Sequence, residues 1–448
     1  MLPSFMTDLA RSVGLSTVMR AAGVVTRLLP IPQPTMMVGP GSSARLGQAI
    51  SDFGHQNILI VTDAVITRLG LMAPLLAALR AGGARYVIFD GITPDAPIAL
   101  IEEGVERFNN EGCDALVAFG GGSVIDAAKA IGLCAANQKT PQQLVGYFKG
   151  LRGAAPIYAV PTTAGTGSEV TVAAVVSDPD THRKLVMADT RIVPRMAALD
   201  PSLMTGLPPA ITAATGMDAL THAIEAFVGH WCTDFTDRMA LSAVGMIFEN
   251  LPLAYINGQD LAAREKMALA STYAGLAFTR ANVGYVHAIA HQLGGLYHTP
   301  HGLANAIMLP HVLKFLRPAI EARLALLAVR AKIGTAEESE SELAGKFLDA
   351  IDAMNERLGI PRHLEALREA DIPALAQAAC READTSYPVP RYMSQAVCED
   401  VIRQALPAAA PAPVQPAPAR KATPRKAAAR KATPRKAKAP ALPATESA

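Results

Sequence analysis

The chain has 448 residues, half of them hydrophobic, and 41 Lys or Arg against 39 Asp or Glu give a formal charge of only +2. That total hides a split, because Pro407 to Ala448 carries nine basic residues and one acid (net +8), leaving 32 basic and 38 acidic residues (net −6) in residues 1–406. Five scattered cysteines with no CxxC pair argue against a disulfide framework or a thiolate zinc site, and no apolar run approaches the ~18–20 residues of a membrane span, so a soluble protein of a reducing cytoplasm is expected.

Residues 1–34 hold Arg11, Arg20 and Arg27 among apolar residues with Asp8 as the one acid. A transit peptide or an amphipathic surface helix fits that pattern, but a variable N-terminal extension fits the general looseness of termini better. Residues 35–206 are expected to form an α/β domain. They hold 20 of the 34 glycines, and the apolar runs Ile58–Val61, Tyr86–Phe89, Ala115–Phe119 and Ile157–Val160 alternate with helical patterns such as Ile98–Asn110. Such alternation specifies βαβ units around a parallel sheet. A hairpin is expected from Val172–Val176 and Lys184–Met187 about the turn Asp178, Pro179, Asp180. Residues 207–406 contain only 12 glycines and read as successive amphipathic helices, Glu321–Ile333 and Glu342–Leu358 among them, so an all-helical second domain is expected. Residues 407–448 repeat RKATPRKA with nine prolines and no aromatic residue, a composition that predicts disorder.

Five of the ten histidines fall between positions 287 and 311. His287 and His291 in VHAIAH are four apart, which places both imidazoles on one helix face. His301 follows in HTPHG, and upstream GMDALTH sets Asp218 and His222 four apart as well. Three imidazoles and a carboxylate suit a borderline divalent metal, Fe(II) or Zn(II), with room for a substrate oxygen. The alternative for any one of these residues is a packing or capping histidine.

GGGSVIDAAKA, Gly120 to Ala130, follows the run ALVAF and resembles a diphosphate-binding turn at a helix N-terminus, with Asp126 counted among the cofactor-site residues as the acid ordering the first helical turn. It matches neither GxGxxG nor a Walker motif, and a plain tight turn accounts for it too. PTTAGTGSE, Pro161 to Glu169, offers hydroxyls and small residues for close approach to a ring or phosphate, or is simply a Ser/Thr-rich loop. Asp63 ends ILIVTD. An acid at a strand end accepts from ribose hydroxyls and disfavours a 2′-phosphate, pointing to NAD over NADP, yet it precedes the glycines by 57 positions where the usual order is reversed. A helix-capping role is the alternative.

Taken together, GGGSVIDAAKAIG, PTTAGTGSEVT, LPPAITAATGMDALTHAIEAFV and ANVGYVHAIAHQLGGLYHTPHGLANAIMLPHV resemble the iron-containing (group III) alcohol dehydrogenases, in the branch of lactaldehyde reductase, from about Pro34 to Leu406. The resemblance implies a nucleotide-binding α/β domain and a helical metal-binding domain flanking a cleft. It implies metal ligands at Asp218, His222, His287 and His301, a proton-transfer role for His291, and cofactor contacts at Asp63, Gly121, Gly122, Ser123, Thr162, Thr163, Thr171, Lys184 and Leu203. The implied reaction is reversible hydride transfer between NAD and a short-chain primary alcohol or diol, in a homodimer. Glycerol dehydrogenase and a dehydroquinate synthase-like lyase share the fold but match the DALTH and VHAIAH segments less well. Three segments depart from the family pattern: Pro94, Asp95, Ala96; Ala173; and Val389, Pro390, Arg391. Outside the resemblance, residues 420–438 suggest weak, salt-sensitive contact with nucleic acid, or else a solvated spacer.

Overall fold

Five consecutive buried residues, Asn57 to Val61, form strand β2, and the similarly buried Ala115–Gly120 forms β4. Uninterrupted burial belongs to strands covered on both faces, as in parallel sheets. The computed structural model of the chain describes residues 28–178 and 183–407, six positions between 14 and 24, and residues 436–437. The compact unit that holds the described elements ends at Pro407. The expected disorder of the tail and the turn at Pro179 and Asp180 lie outside the described residues.

The main sheet is parallel, with β1 (Thr35–Val38), β9 (Met196–Leu199), β6 (Ile157–Pro161), β4, β2 and β3 (Arg85–Phe89) in that spatial order. Alternate residues serve opposite faces. Leu59, Val61, Leu116 and Ala118 pack with Ile101 of helix α4 (Ile98–Asn110) and Ile125 and Ile131 of α5 (Gly122–Asn137). Ile58, Ile60, Val117 and Phe119 pack instead with Leu46 and Ile50 of α1 (Ser42–Asp52) and Leu75 and Leu79 of α3 (Ala73–Ala81), beyond the short α2 (Ala64–Leu69). The chain runs outward from β2 to β3, then crosses back to β4 on the other side. That reversal makes a crevice between the carboxyl ends of β2 and β4, where such sheets bind ligands.

The expected hairpin is β7 (Ala173–Asp178) and β8 (Arg183–Ala188), antiparallel, with β5 (Gly146–Tyr147) added to β8 after the one-turn α6 (Pro141–Leu144). A buried lysine fixes this small sheet to α5. Lys129 Nζ donates to Thr171 O at 2.9 Å, Thr171 Oγ1 at 2.7 Å and Ala173 O at 2.8 Å, using all three of its protons. Burial lowers its pKa to about 8, against the pull of Asp126 and Glu169.

From Pro209 the chain is helical: α7 (Pro209–Val228), α8 (Asp234–Ile256), α9 (Leu261–Ala281), α10 (Tyr285–Tyr297), α11 (His301–Arg330), α12 (Glu340–Arg357), α13 (Ile372–Ser386) and α14 (Gln395–Arg403). α11 merges what the sequence suggests as a separate helix from Glu321, with a kink at Ile320 after Pro318, where proline removes a ladder donor. α8 corrects one expectation, because it is long and apolar enough to cross a membrane. Ala240, Ala243, Val244, Ile247 and Leu251 of α8 are buried in the helical core, so it packs as a bundle helix.

The α/β and helical parts meet through the loop after β6. Gly167 adopts φ 60°, and a Cβ there would come within 2.8 Å of Gly275 Cα on α9. Thr272 Oγ1 donates to Glu169 Oε1 at 2.6 Å, and Val172 N donates to Thr279 Oγ1 at 3.0 Å. Near the N-terminus Met19 is buried, and its carbonyl accepts from the Trp231 indole at 2.7 Å.

Candidate metal centre and nucleotide cleft

The crevice between β2 and β4 explains the reversed order of its motif residues. Asp63 follows β2 and the glycines follow β4, so the switch in strand order, not sequence separation, makes them neighbours. Thr62 Oγ1 ties the two strand ends together by donating to Phe119 O at 2.7 Å. The capping reading of Asp63 is present in the fold: Oδ1 accepts from Val65 N at 2.9 Å and Ile66 N at 3.0 Å.

Gly121 caps α5 and Gly122 begins it. A Cβ on Gly122 would lie 2.5 Å from Thr166 Cγ2, and one on Gly121 would lie 3.3 Å from Thr163 Oγ1, so the two motif loops are pressed together, most tightly at Gly122, where a side chain would have to displace Thr166. Thr162 N donates to Gly120 O at 3.1 Å. Ser123 Oγ accepts from Asp95 N at 3.2 Å, and the Asp95 carboxylate pairs with Lys184 of β8. Thus Asp63, Gly121, Gly122, Ser123, Thr162, Thr163 and Lys184 are linked by a run of contacts at the carboxyl end of the sheet. Three other expected contacts have different surroundings. Asp126 does not turn into the first helical turn; its Oδ2 accepts from Val175 N at 3.0 Å on β7. Thr171 Oγ1 is taken by Lys129, and Leu203 is buried in the sheet core.

The second constellation is built by three helices. α7 carries Asp218 and His222, α10 carries His287, and α11 starts at His301. One ligand atom from each lies within 4.8 Å of all the others. His301 Nε2 is 3.5 Å and His287 Nε2 3.9 Å from Asp218 Oδ1, and His222 Nδ1 is 4.0 Å from Asp218 Oδ2. The His222 ring stacks on Phe278 at 4.2 Å and on His287 at 4.5 Å. Burial lowers the pKa of all three imidazoles, that of His301 to about 4, which keeps their lone pairs available at neutral pH.

The set is short of donors. Asn305 Nδ2 donates to Asp218 Oδ1 at 2.7 Å and lies 3.2 and 3.1 Å from His287 Nε2 and His301 Nε2. The two protons of this amide serve Asp218 Oδ1 and at most one imidazole nitrogen, and both Asn305 Oδ1 and His222 Nδ1 are buried without a hydrogen-bond partner. A divalent cation matches this donor set in number and chemistry.

Sequence reasoning missed the carboxylates behind the histidines. Glu225, three residues after His222 on α7, accepts from Gly284 N at 2.9 Å and Val286 N at 2.7 Å and lies 2.6 Å from His287 Nδ1. This assigns the ring proton to Nδ1 and leaves Nε2 facing Asp218, as in carboxylate–histidine–metal sites. Burial raises Glu225 to about 7 despite those three donors. The available signal was an acid at i+3 in HAIEAF. Glu382 of α13 plays the same part for His291, 2.6 Å from its Nδ1. Burial lowers His291, but the Glu382 charge and hydrogen bond outweigh it and raise the imidazole above its ordinary value.

The two constellations adjoin. The Gly165 backbone lies beside His222, and Lys184 is within electrostatic reach of His291 and His301. A glycine-lined crevice beside a buried histidine–carboxylate set is the arrangement that a metal- and nucleotide-linked enzyme requires.

Comparison with known proteins agrees. Residues 33–201 match the family model for iron-containing alcohol dehydrogenase, and residues 212–406 match that for the C-terminal part of the Fe-containing alcohol dehydrogenase family. The chain is 39% identical over 371 residues to 1,3-propanediol dehydrogenase of Klebsiella pneumoniae, covering 82% of this chain and 96% of the relative. It is 38% identical to NAD-dependent methanol dehydrogenase of Bacillus methanolicus (83% and 98% covered) and 38% identical to lactaldehyde reductase of Escherichia coli K12 (78% and 92% covered). A crystal structure of 1,3-propanediol oxidoreductase superposes with a TM-score of 0.82 at 38% identity, covering 85% of this chain and 100% of that one. The chain belongs to the iron-containing alcohol dehydrogenase family. It is an NAD-dependent oxidoreductase that interconverts alcohols and aldehydes.

Replacing Glu225 with Gln should weaken Fe(II) or Zn(II) binding by about 10- to 100-fold, the usual cost of losing a carboxylate behind a ligating histidine. Competition with a chromophoric chelator measures this, and an unchanged affinity contradicts the assignment.

Proposed function

We propose that Asp218, His222, His287 and His301 hold one divalent metal, and that NAD lies along the cleft bounded by Asp63, Gly121, Gly122, Ser123, Thr162, Thr163 and Lys184. The observation that carries this reading is the convergence of four ligand atoms within 4.8 Å in a helical core. Fe(II) is the family metal, and Zn(II) has the same donor preferences.

When bound, the metal supplies Lewis acidity toward the alcohol or carbonyl oxygen and NAD supplies the hydride acceptor. The chain does the rest. Backbone N–H groups at the start of α5 face the diphosphate, and Thr162 and Thr163 border the ring side of the cleft. Glu225 keeps His287 oriented through Nδ1. As an alcohol carbon gives up hydride, its hydroxyl proton leaves toward His291 Nε2, and aldehyde reduction runs the same transfers backwards. Phe278 forms an apolar wall against His222. The relatives named for 1,3-propanediol, methanol and lactaldehyde support short primary alcohols and diols as the substrate class.

Chelation should reduce NADH production from 1,3-propanediol or methanol to background, and Fe(II) or Zn(II) should restore it. His287→Ala should neither hold metal nor recover, while NADH binding, followed by its fluorescence, persists. Full turnover by the metal-free chain contradicts the proposal.

A second reading concerns the tail. Nine cations within residues 420–438, repeated as RKATPRKA, suit non-specific contact with the nucleic-acid backbone, and such binding weakens steeply with rising salt, because releasing condensed counterions then gains less entropy. A gel shift of duplex DNA at low salt should vanish when residues 407–448 are removed. A shift unaffected by that deletion refutes the role and leaves a solvated spacer.

A further inference from the structure

His291 shares a face of α10 with His287 but is not among the four convergent residues. Its surroundings come from a helix that contains none of the recognisable motifs. Glu382 Oε1 lies 2.6 Å from His291 Nδ1 and also accepts from Tyr387 Oη at 2.5 Å, while Glu382 Oε2 accepts from Gln292 Nε2 at 2.8 Å. A carboxylate with those neighbours only accepts. The proton on His291 is therefore at Nδ1, and Nε2 is the nitrogen left with a lone pair.

Tyr387 is itself held. It lies just past α13 in a segment where Ser386 O accepts from Asn282 Nδ2 at 3.0 Å and Pro388 O accepts from His230 N at 2.8 Å. Met393 N, a little further on, donates to Tyr285 Oη at 2.9 Å. The segment is thus pinned to the C-terminal end of α9 and the first turn of α10, the helix that carries His291. On the other side the His291 ring stacks with His301 at 5.4 Å between centroids, with 17° between planes. Plane, tautomer and depth of one imidazole are all specified by fixed neighbours, which is more than packing of a part-exposed histidine requires.

We propose that Glu382 is a positioning residue for alcohol–aldehyde interconversion: it holds His291 as the Nδ1–H tautomer with Nε2 toward the reacting groups, and Tyr387 and Gln292 hold Glu382. The inference rests on the proton-transfer role given to His291. It assigns a function to a residue 91 positions from its partner and to a tyrosine at the end of α13.

The test is a double-mutant cycle on the metal-loaded full chain, with metal content and NADH affinity measured for every variant. Glu382→Gln should lower kcat by roughly 10- to 100-fold, as loss of an orienting carboxylate does elsewhere, with metal content, NADH affinity and the KM for NAD unchanged. Glu382→Asp should recover part of the loss. Tyr387→Phe should cost about two- to tenfold, the range of one hydrogen bond. In a His291→Ala background, Glu382→Gln should change kcat by less than about twofold, because residues acting through one another are not additive. An equal loss in both backgrounds, or a loss explained by lower metal content, overturns the role of Glu382 and leaves that of His291 standing. Wild-type turnover by His291→Ala overturns both.

Discussion

Gathering three imidazoles and two carboxylates inside an alanine-rich helical core is the constraint on which the rest of this structure depends. Polar groups buried without partners are costly, and here the residues around them, among them Ala219, Ala223, Ala288 and Ile289, offer no hydrogen bonds from their side chains. The chain meets the cost in two ways. Imidazoles enter neutral, since burial lowers the pKa of His222, His287 and His301. Glu225 enters with N–H donors from Gly284 and Val286 and with the His287 ring. What remains is Asp218 facing three imidazole nitrogens, with the Asn305 amide among them and His222 Nδ1 and Asn305 Oδ1 buried without partners. That deficit is the physical case for a cation.

The α/β part answers a different demand. Its two motif loops approach each other closely, the absence of side chains at Gly121 and Gly122 leaving room for Thr163 and Thr166, and Gly167 meets Gly275 without an intervening Cβ. The same loop after β6 then does double duty, carrying Thr162 and Thr163 at the crevice and touching the helical part at His222 of α7 through Gly165 and at Thr272 of α9 through Glu169. Lys129 joins this arrangement to the hairpin, so that Lys184 on β8 reaches Asp95 at the cleft. Cofactor side and metal side are therefore set by one continuous network rather than by two independent sites.

How much of this was legible in the sequence follows from how local each signal is. The i,i+4 pairs Asp218/His222 and His287/His291 are visible because a helix repeats faithfully, and β2, β3, β4 and β6 are visible as β-branched or apolar runs. β1 and β9 escaped because TMMV and MAAL lack a strong strand signature and acquire strand geometry only by pairing with each other and with β6. The position of Asp63 before the glycines looked anomalous until the strand order placed both at one switch point. Glu225, Glu382, Asn305 and Lys129 went unassigned because each is a single polar residue in a long helix, and its meaning lies in a partner 18 to 91 positions away. Asp126 and Thr171 were read as cofactor contacts from their place in motifs, whereas their side chains secure the hairpin.

The central claim is that one metal is held by three imidazole nitrogens and one carboxylate oxygen. X-ray absorption at the iron edge of the Fe(II)-loaded chain addresses it most directly. The expected spectrum has only nitrogen and oxygen neighbours, with outer-shell scattering from three imidazoles that falls to two in His301→Ala. Sulfur neighbours, or a spectrum unchanged by that substitution, would contradict the account.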